Sequence, residues 1–161
     1  MAEETLDSII HLIDEAAKLY YRLVVLAAPS GSGKTALLRD IHRLLGVPIF
    51  NVNVELSREM LELTGRQRVL HSRRVLSEMV GAAVGDVVLL DNIEVLFDVM
   101  LQQNPLRLLQ ELSRNLTVVA AWNGTVDNSS LVYASPEHRE HRRYPVQDFL
   151  VVQPETAAWK H

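Results

Sequence analysis

A chain of 161 residues with 48% apolar content and a net charge of −4 suits one domain with a full core, and argues against a protein whose main role is to coat nucleic acid. The absence of cysteine excludes a disulfide framework and thiolate zinc sites, and points to a reducing cytoplasm. No apolar run nears the roughly 20 residues that cross a bilayer, and Met1-Ala2-Glu3-Glu4 is acidic where a secretory leader is basic, so a soluble protein without membrane contact is expected.

The elements follow in chain order. Leu6, Ile9, Ile10, Ile13, Ala16, Ala17 and Tyr20 fall on one helical stripe, so a helix is expected over 3–20, and residues 1–21 are read as packing on the core. Leu23 to Ala27 is a continuous apolar run, the pattern of a strand buried on both faces. Lys34 to Leu45 reads as a helix stopped by Gly46. Pro48 to Val54 alternates as a second strand. Ser57 to Leu63 and Arg66 to Val84 read as helices separated near Gly65.

Val87 to Leu90 is again wholly apolar and ends at Asp91. Asn104-Pro105 marks the start of a helix reaching Arg114, because proline is accepted at the first helical position. Thr117 to Trp122 is the next strand, with Asn123-Gly124 as its turn; Leu131 to Ala134 is a short strand or hairpin arm, and Gln147 to Val152 the last strand. Alternating strands and helices predict an α/β fold: one domain over 1–161, a parallel sheet with helices on both faces. Ligands bind such sheets beyond the carboxyl ends of the strands, where Ala28, Asp91 and Asn123 would converge.

Ala28-Pro29-Ser30-Gly31-Ser32-Gly33-Lys34-Thr35 fits G-x-x-x-x-G-K-[ST] with alanine in the first position. Glycines at 31 and 33 let the backbone curl so that its N–H groups point inward, and the following helix offers its positive end to an anion. Ser30, Gly31, Ser32, Gly33, Lys34 and Thr35 are therefore the candidate phosphate-binding residues. Lys34 reaches the outer phosphates and the Thr35 hydroxyl meets Mg²⁺. An apolar strand before the motif and an amphipathic helix after it make a chance match rare.

Asp91 at the end of an apolar strand is the second candidate metal residue beside Thr35, with a helix cap as the alternative. Asn92 stands where many such ATPases place a glutamate, and an amide cannot accept a proton. Glu94 serves as the base if the backbone turns it inward, and otherwise is a solvated helix-start residue. Asn123 is either a residue that orients the γ-phosphate or water, or a plain turn residue. Asn51 and Asn53 read more simply as strand-end amides. Arg139, Arg142 and Arg143 lie in a basic stretch that is either a solvated turn or a source of positive charge for a neighbouring subunit's nucleotide. Arg66, Arg68, Arg73 and Arg74 fit a solvated helix face. The histidines show no metal-ligand spacing.

These residues resemble the AAA+ and related P-loop ATPases. The resemblance rests on Ala28–Thr35, Val87–Glu94 and Thr117–Asn123, and spans most of the chain after the first helix. It implies a core of AAA+ type, ATP and Mg²⁺ as ligands, Lys34 and Thr35 as phosphate and metal residues, Asp91 as the acidic metal residue and Asn123 as a sensor. It also implies an arginine finger at Arg142 or Arg143 acting in trans, and hence a homo-oligomer. Asn92 departs from the family pattern, and too little sequence follows the last strand for the helical lid with its second arginine. Both departures imply weak or partner-dependent hydrolysis.

More narrowly, the segments LAAPSGSGKTALLRD, VLLDNIEVLF and SPEHREHRRYPVQDFLV resemble the small P-loop F components of bacteriophage-exclusion (BREX) systems. That resemblance implies an ATP-dependent part in antiviral defence beside other defence proteins, with indirect association with DNA. The competing expectations are a nucleotide-gated switch that never hydrolyses and, further off, a small-molecule kinase. No insertion supplies a kinase lid, and Asn123-Gly124-Thr125-Val126 lacks the N-K-x-D signature of guanine recognition.

Overall fold

The computed structural model describes residues 2–154. The chain runs α1 (Ala2–Ala16), β1 (Leu23–Ala28), α2 (Lys34–Leu45), β2 (Ile49–Asn51), α3 (Val52–Met60), α4 (Gly65–Gly81) and β3 (Val87–Asp91). Two 3₁₀ turns follow, Ile93–Phe97 and Val99–Leu101. Then come α5 (Pro105–Leu112), β4 (Thr117–Asp127), β5 (Ser130–Tyr133), β6 (Arg142–Pro145) and β7 (Leu150–Val152).

Among the described residues the main sheet has the order β2-β3-β4-β1-β7, with every pair parallel. The period of two along each strand sorts the core into two layers. Leu23, Val25 and Ala27 of β1, Val88 and Leu90 of β3, and Val118, Ala120 and Trp122 of β4 pack with residues of α3, α4 and α5. Val24, Leu26, Leu89, Val119 and Ala121 point the other way, onto Ile9 and Ile13 of α1 and Leu38 and Ile41 of α2. A sheet covered on both faces has no polar side, which is why β1 and β3 read as unbroken apolar runs. The α/β fold with a parallel sheet between helices is the one expected.

Several expected elements differ: the helix expected over Ser57 to Leu63 spans Val52–Met60, and the last strand, expected over Gln147 to Val152, is Leu150–Val152. The helix over 3–20 ends at Ala16. Beyond it the backbone tightens to i−3 bonds, Lys18 N to Glu15 O at 3.1 Å and Leu19 N to Ala16 O at 3.0 Å, and Tyr20 is 63% exposed, off the buried stripe. The second strand stops at Asn51, whose side chain accepts a hydrogen bond from Val54 N at 3.1 Å and so caps α3, as short polar side chains do at helix starts. Asn123-Gly124 is not a turn: β4 continues to Asp127 and hairpins back as β5. The basic stretch is not only a turn either, because Arg142–Pro145 form β6 against β5. An antiparallel meander of β4, β5 and β6 therefore rises from the carboxyl edge of the parallel sheet.

Candidate functional site

The strand order sets the site. β4 lies between β1 and β3, with Asn123 level with Ala28 and Ala120 level with Leu90. The loop after β1, the end of β3 and the middle of β4 therefore meet at one edge. They enclose a cleft of about 240 Å³ lined by Ser30, Gly31, Gly33, Lys34, Thr35, Asp91, Asn92, Glu94, Ala121 and Asn123.

The loop has the curl its glycines allow. Gly31 and Gly33 take φ of 80° and 95°, a region other residues avoid. Ala28, in place of the first glycine, ends β1 without a positive φ and is 2% exposed, so its methyl group is tolerated. Helices α3, α4 and α5 are capped by the side chains of Asn51, Thr64 and Asn104, whereas α2 begins at Gly33 with no side-chain cap. The first N–H groups of α2 are thus left to an anion in the cleft. The Ser32 hydroxyl donates to Pro29 O within the loop.

Lys34 is 7% exposed, and its ammonium donates to Ala28 O and Pro29 O, both at 2.8 Å. Burial lowers its pKa from the ordinary lysine value, while the charges of Glu94 and Asp91 push the other way. A desolvated cation held only by two carbonyl oxygens is set to exchange them for phosphate oxygens.

The Thr35 hydroxyl donates to Asp91 Oδ2 at 2.7 Å, and Asp91 Oδ1 accepts from Asn92 N at 2.9 Å. Asp91, 7% exposed, is thus fixed with one oxygen against the threonine hydroxyl. A hydroxyl and a carboxylate oxygen in contact at the end of the phosphate loop fit a hard, oxygen-seeking cation such as Mg²⁺.

Asn92 adopts φ 52°, ψ 55°, a left-handed conformation that asparagine accepts better than most residues. This single turn redirects the chain into Ile93–Phe97 and brings Glu94 inward. Glu94 Oε1 accepts a short hydrogen bond from Asn123 Nδ2. Its other oxygen, Oε2, is buried with no partner. The Glu94 carboxylate as a whole lines the cleft beside the phosphate-binding loop, where a carboxylate can serve as a proton acceptor. Glu94 thus has the inward turn that a role as base requires, and Asn123 stands within a continuous strand rather than in a turn.

Other expected residues stand apart from the cleft. Arg142 and Arg143 lie on β6. Arg143 pairs with Asp127, Nη1 to Oδ2 at 3.3 Å, and Arg142 donates to His141 O at 3.1 Å; neither lines the cleft of its own chain. Asn51 is a helix cap, and Asn53 N donates to Asn92 O at 3.0 Å. Arg68 ties the α3–α4 junction to Met60 O and Leu63 O, each at 3.2 Å, and Arg73 and Arg74 pair with Glu111 and Glu78. Among the described residues, no group of three or more histidine or acidic side chains forms a separate metal site, and no helix is long and apolar enough to cross a membrane.

Sequence reasoning missed Tyr133. It lies opposite Gly124 on β5 and lines a second cavity of about 420 Å³ that shares Ser30 and Asn123 with the cleft. Its ring stacks on Phe97 with centroids 3.5 Å apart. No local signal marks a tyrosine in a four-residue strand as part of a site.

The family model of the AAA ATPases, the ATPase family associated with various cellular activities, matches residues 24–130. The chain belongs to this family of nucleotide-binding ATPases. None of the curated proteins matches it. Among solved structures, that of C. elegans PCH-2 is similar over 79% of this chain and 39% of its own, with 18% identity and a TM-score of 0.47. A DNA replication initiation factor is similar over 92% of this chain and 45% of its own, with 14% identity and a TM-score of 0.43. The chain spans less than half the length of either.

Proposed function

We propose that this protein binds Mg-ATP on the Ala28–Thr35 loop and hydrolyses it slowly, with Glu94 as the general base in place of a residue at position 92. The observation that carries this reading is the Glu94 carboxylate lining the cleft, bonded through Oε1 to the Asn123 amide, beside Lys34 and the Thr35–Asp91 pair. Lys34 and the open N-terminus of α2 hold the phosphates. Thr35 and Asp91 hold Mg²⁺, which supplies charge neutralisation on the phosphate oxygens. Glu94 takes a proton from a water molecule. The water oxygen bonds to the terminal phosphorus, the bond from that phosphorus to the bridging oxygen breaks, and ADP and phosphate leave. Rates stay low because the base stands two residues beyond its usual position and, among the described residues, no arginine lines the cleft.

The likeness of the three segments to the BREX F components supports a setting in antiviral defence, in the cytoplasm, within an assembly of several copies or with other defence proteins. In such an assembly Arg142 is the better placed to reach a neighbour's nucleotide, because Arg143 is tied to Asp127. Phosphate release from Mg-ATP tests the reaction. Turnover that falls at least about tenfold in Glu94→Gln, with ATP affinity kept, is the expected result. Binding without any turnover in the wild type points instead to a nucleotide-gated switch. Sizing with and without Mg-ATP, repeated on Arg142→Ala, tests the assembly.

A further inference from the structure

The meander is tied to the carboxylate of the cleft through aromatic rings. In a 3₁₀ turn, residues three apart eclipse, so Glu94 and Phe97 share one face of Ile93–Phe97. That face meets β4 and β5: Glu94 bonds Asn123, and Phe97 stacks on Tyr133 at 3.5 Å with an 8° interplanar angle. Trp122 closes the group edge-on, with centroids 5.0 Å from Phe97 and 6.0 Å from Tyr133. Its indole donates to Val132 O at 3.1 Å, which fixes the strand that carries Tyr133. Phe97 and Trp122 are fully buried and Tyr133 is 8% exposed, so the rings have little room to shift independently.

We propose that Tyr133 is a positioning residue for hydrolysis: stacked on Phe97, it holds the Ile93–Phe97 turn so that Glu94 stays bonded to Asn123 and faces the cleft. The meander is then part of the hydrolytic machinery and does more than decorate the sheet edge. The raised pKa of Tyr133, caused first by burial and next by the charge of Glu94, agrees with a ring held close to that carboxylate. The inference rests on Glu94 acting as the base.

The test compares Tyr133→Phe, which keeps the stacked ring, with Tyr133→Leu, which does not. Two readouts are taken: phosphate release from Mg-ATP, and the Asn123 side-chain amide signals in ¹H–¹⁵N spectra of the nucleotide-free protein. Tyr133→Phe is expected to stay within about twofold of the wild type in turnover and to keep the Asn123 signals. Tyr133→Leu is expected to lose about tenfold in kcat with ATP affinity unchanged, and to shift the Asn123 signals toward those of Glu94→Ala, which lacks the acceptor. Asn123 signals that stay in place in Tyr133→Leu overturn the proposal, whether or not the protein turns over ATP. Loss of ATP affinity in parallel with kcat also overturns it, because that marks a general structural defect. If Glu94→Gln keeps full turnover while Tyr133→Leu moves the Asn123 signals, the base assignment fails and the mechanical link stands.

Discussion

Gly124 is the residue on which the meander's attachment turns, and Gly124→Ala is the sharpest structural test of it. A Cβ built at Gly124 would lie 1.8 Å from Val132 O and 2.9 Å from Trp122 Nε1. Ordinary contact begins near 3.4 Å, so the β5 backbone must retreat by about 1.6 Å whatever the indole does. That movement breaks the 3.1 Å bond from Trp122 Nε1 to Val132 O, and Trp122 is fully buried. A buried donor left unpaired costs about 1–3 kcal/mol, and loosening the Phe97–Tyr133 stack costs about 0.5–1.5 kcal/mol more. The expected loss is about 2–4 kcal/mol, which for a domain of this size lowers Tm by roughly 5–15 °C. Thermal unfolding followed by far-UV circular dichroism measures it. The control is Gly81→Ala at the end of α4, where nothing lies within 4 Å of the added methyl group and stability should hold or rise. A Gly124→Ala protein whose Tm stays within about 2 °C of the wild type would show that the strand pairing and the indole bond are not under the constraint described.

Further outcomes follow from the same geometry. Asp91→Asn should keep ATP binding but raise the Mg²⁺ concentration for half-maximal effect by about 10- to 100-fold, read by titrating Mg²⁺ at fixed ATP; unchanged Mg²⁺ dependence would remove Asp91 from the metal site. Asn92→Gly should be neutral or mildly stabilising, whereas Asn92→Ala and Asn92→Glu should each cost about 1–2 kcal/mol, because the site demands a left-handed backbone; equal denaturation midpoints for all three would contradict that reason. Burial and nearby Glu94 raise Tyr133 to about 12, above its unfolded value near 10, so its contribution to stability is whole below pH 10 and is lost as pH climbs toward 12. Ultraviolet difference titration should find this phenol ionising late, and Tyr133→Phe should flatten the alkaline loss of stability. An ionisation of Tyr133 near pH 10 would mean that its ring is not enclosed as described.

Much of the fold was legible because local and tertiary signals agree. β1 and β3 read correctly because both faces of the sheet are covered, and α5 because Asn104 and Pro105 cap and open it. The α4 start carries its own local signal: Thr64 and Gln67 form a capping box, each bonding the other's backbone. Asn51 likewise read as a strand-end amide, yet it caps α3. The meander was hidden for a different reason. Asn-Gly is a turn dipeptide by local preference, but Gly124 is glycine because a carbonyl and an indole occupy the space of a side chain, which is a long-range fact. The phosphate loop and Asp91 were legible as motifs. The inward position of Glu94 depends on the backbone angle of one residue, Asn92, and on a strand 29 residues away, so no local pattern could settle it.

Calorimetric titration of the protein with ATP and Mg²⁺, in the wild type and in Lys34→Ala, tests phosphate binding on the Ala28–Thr35 loop most directly. A saturable heat in the wild type, weakened at least about tenfold when the single ammonium is removed, is the expected result. A folded wild-type protein that shows no saturation at millimolar nucleotide, or a Lys34→Ala protein that binds as tightly as the wild type, would contradict it.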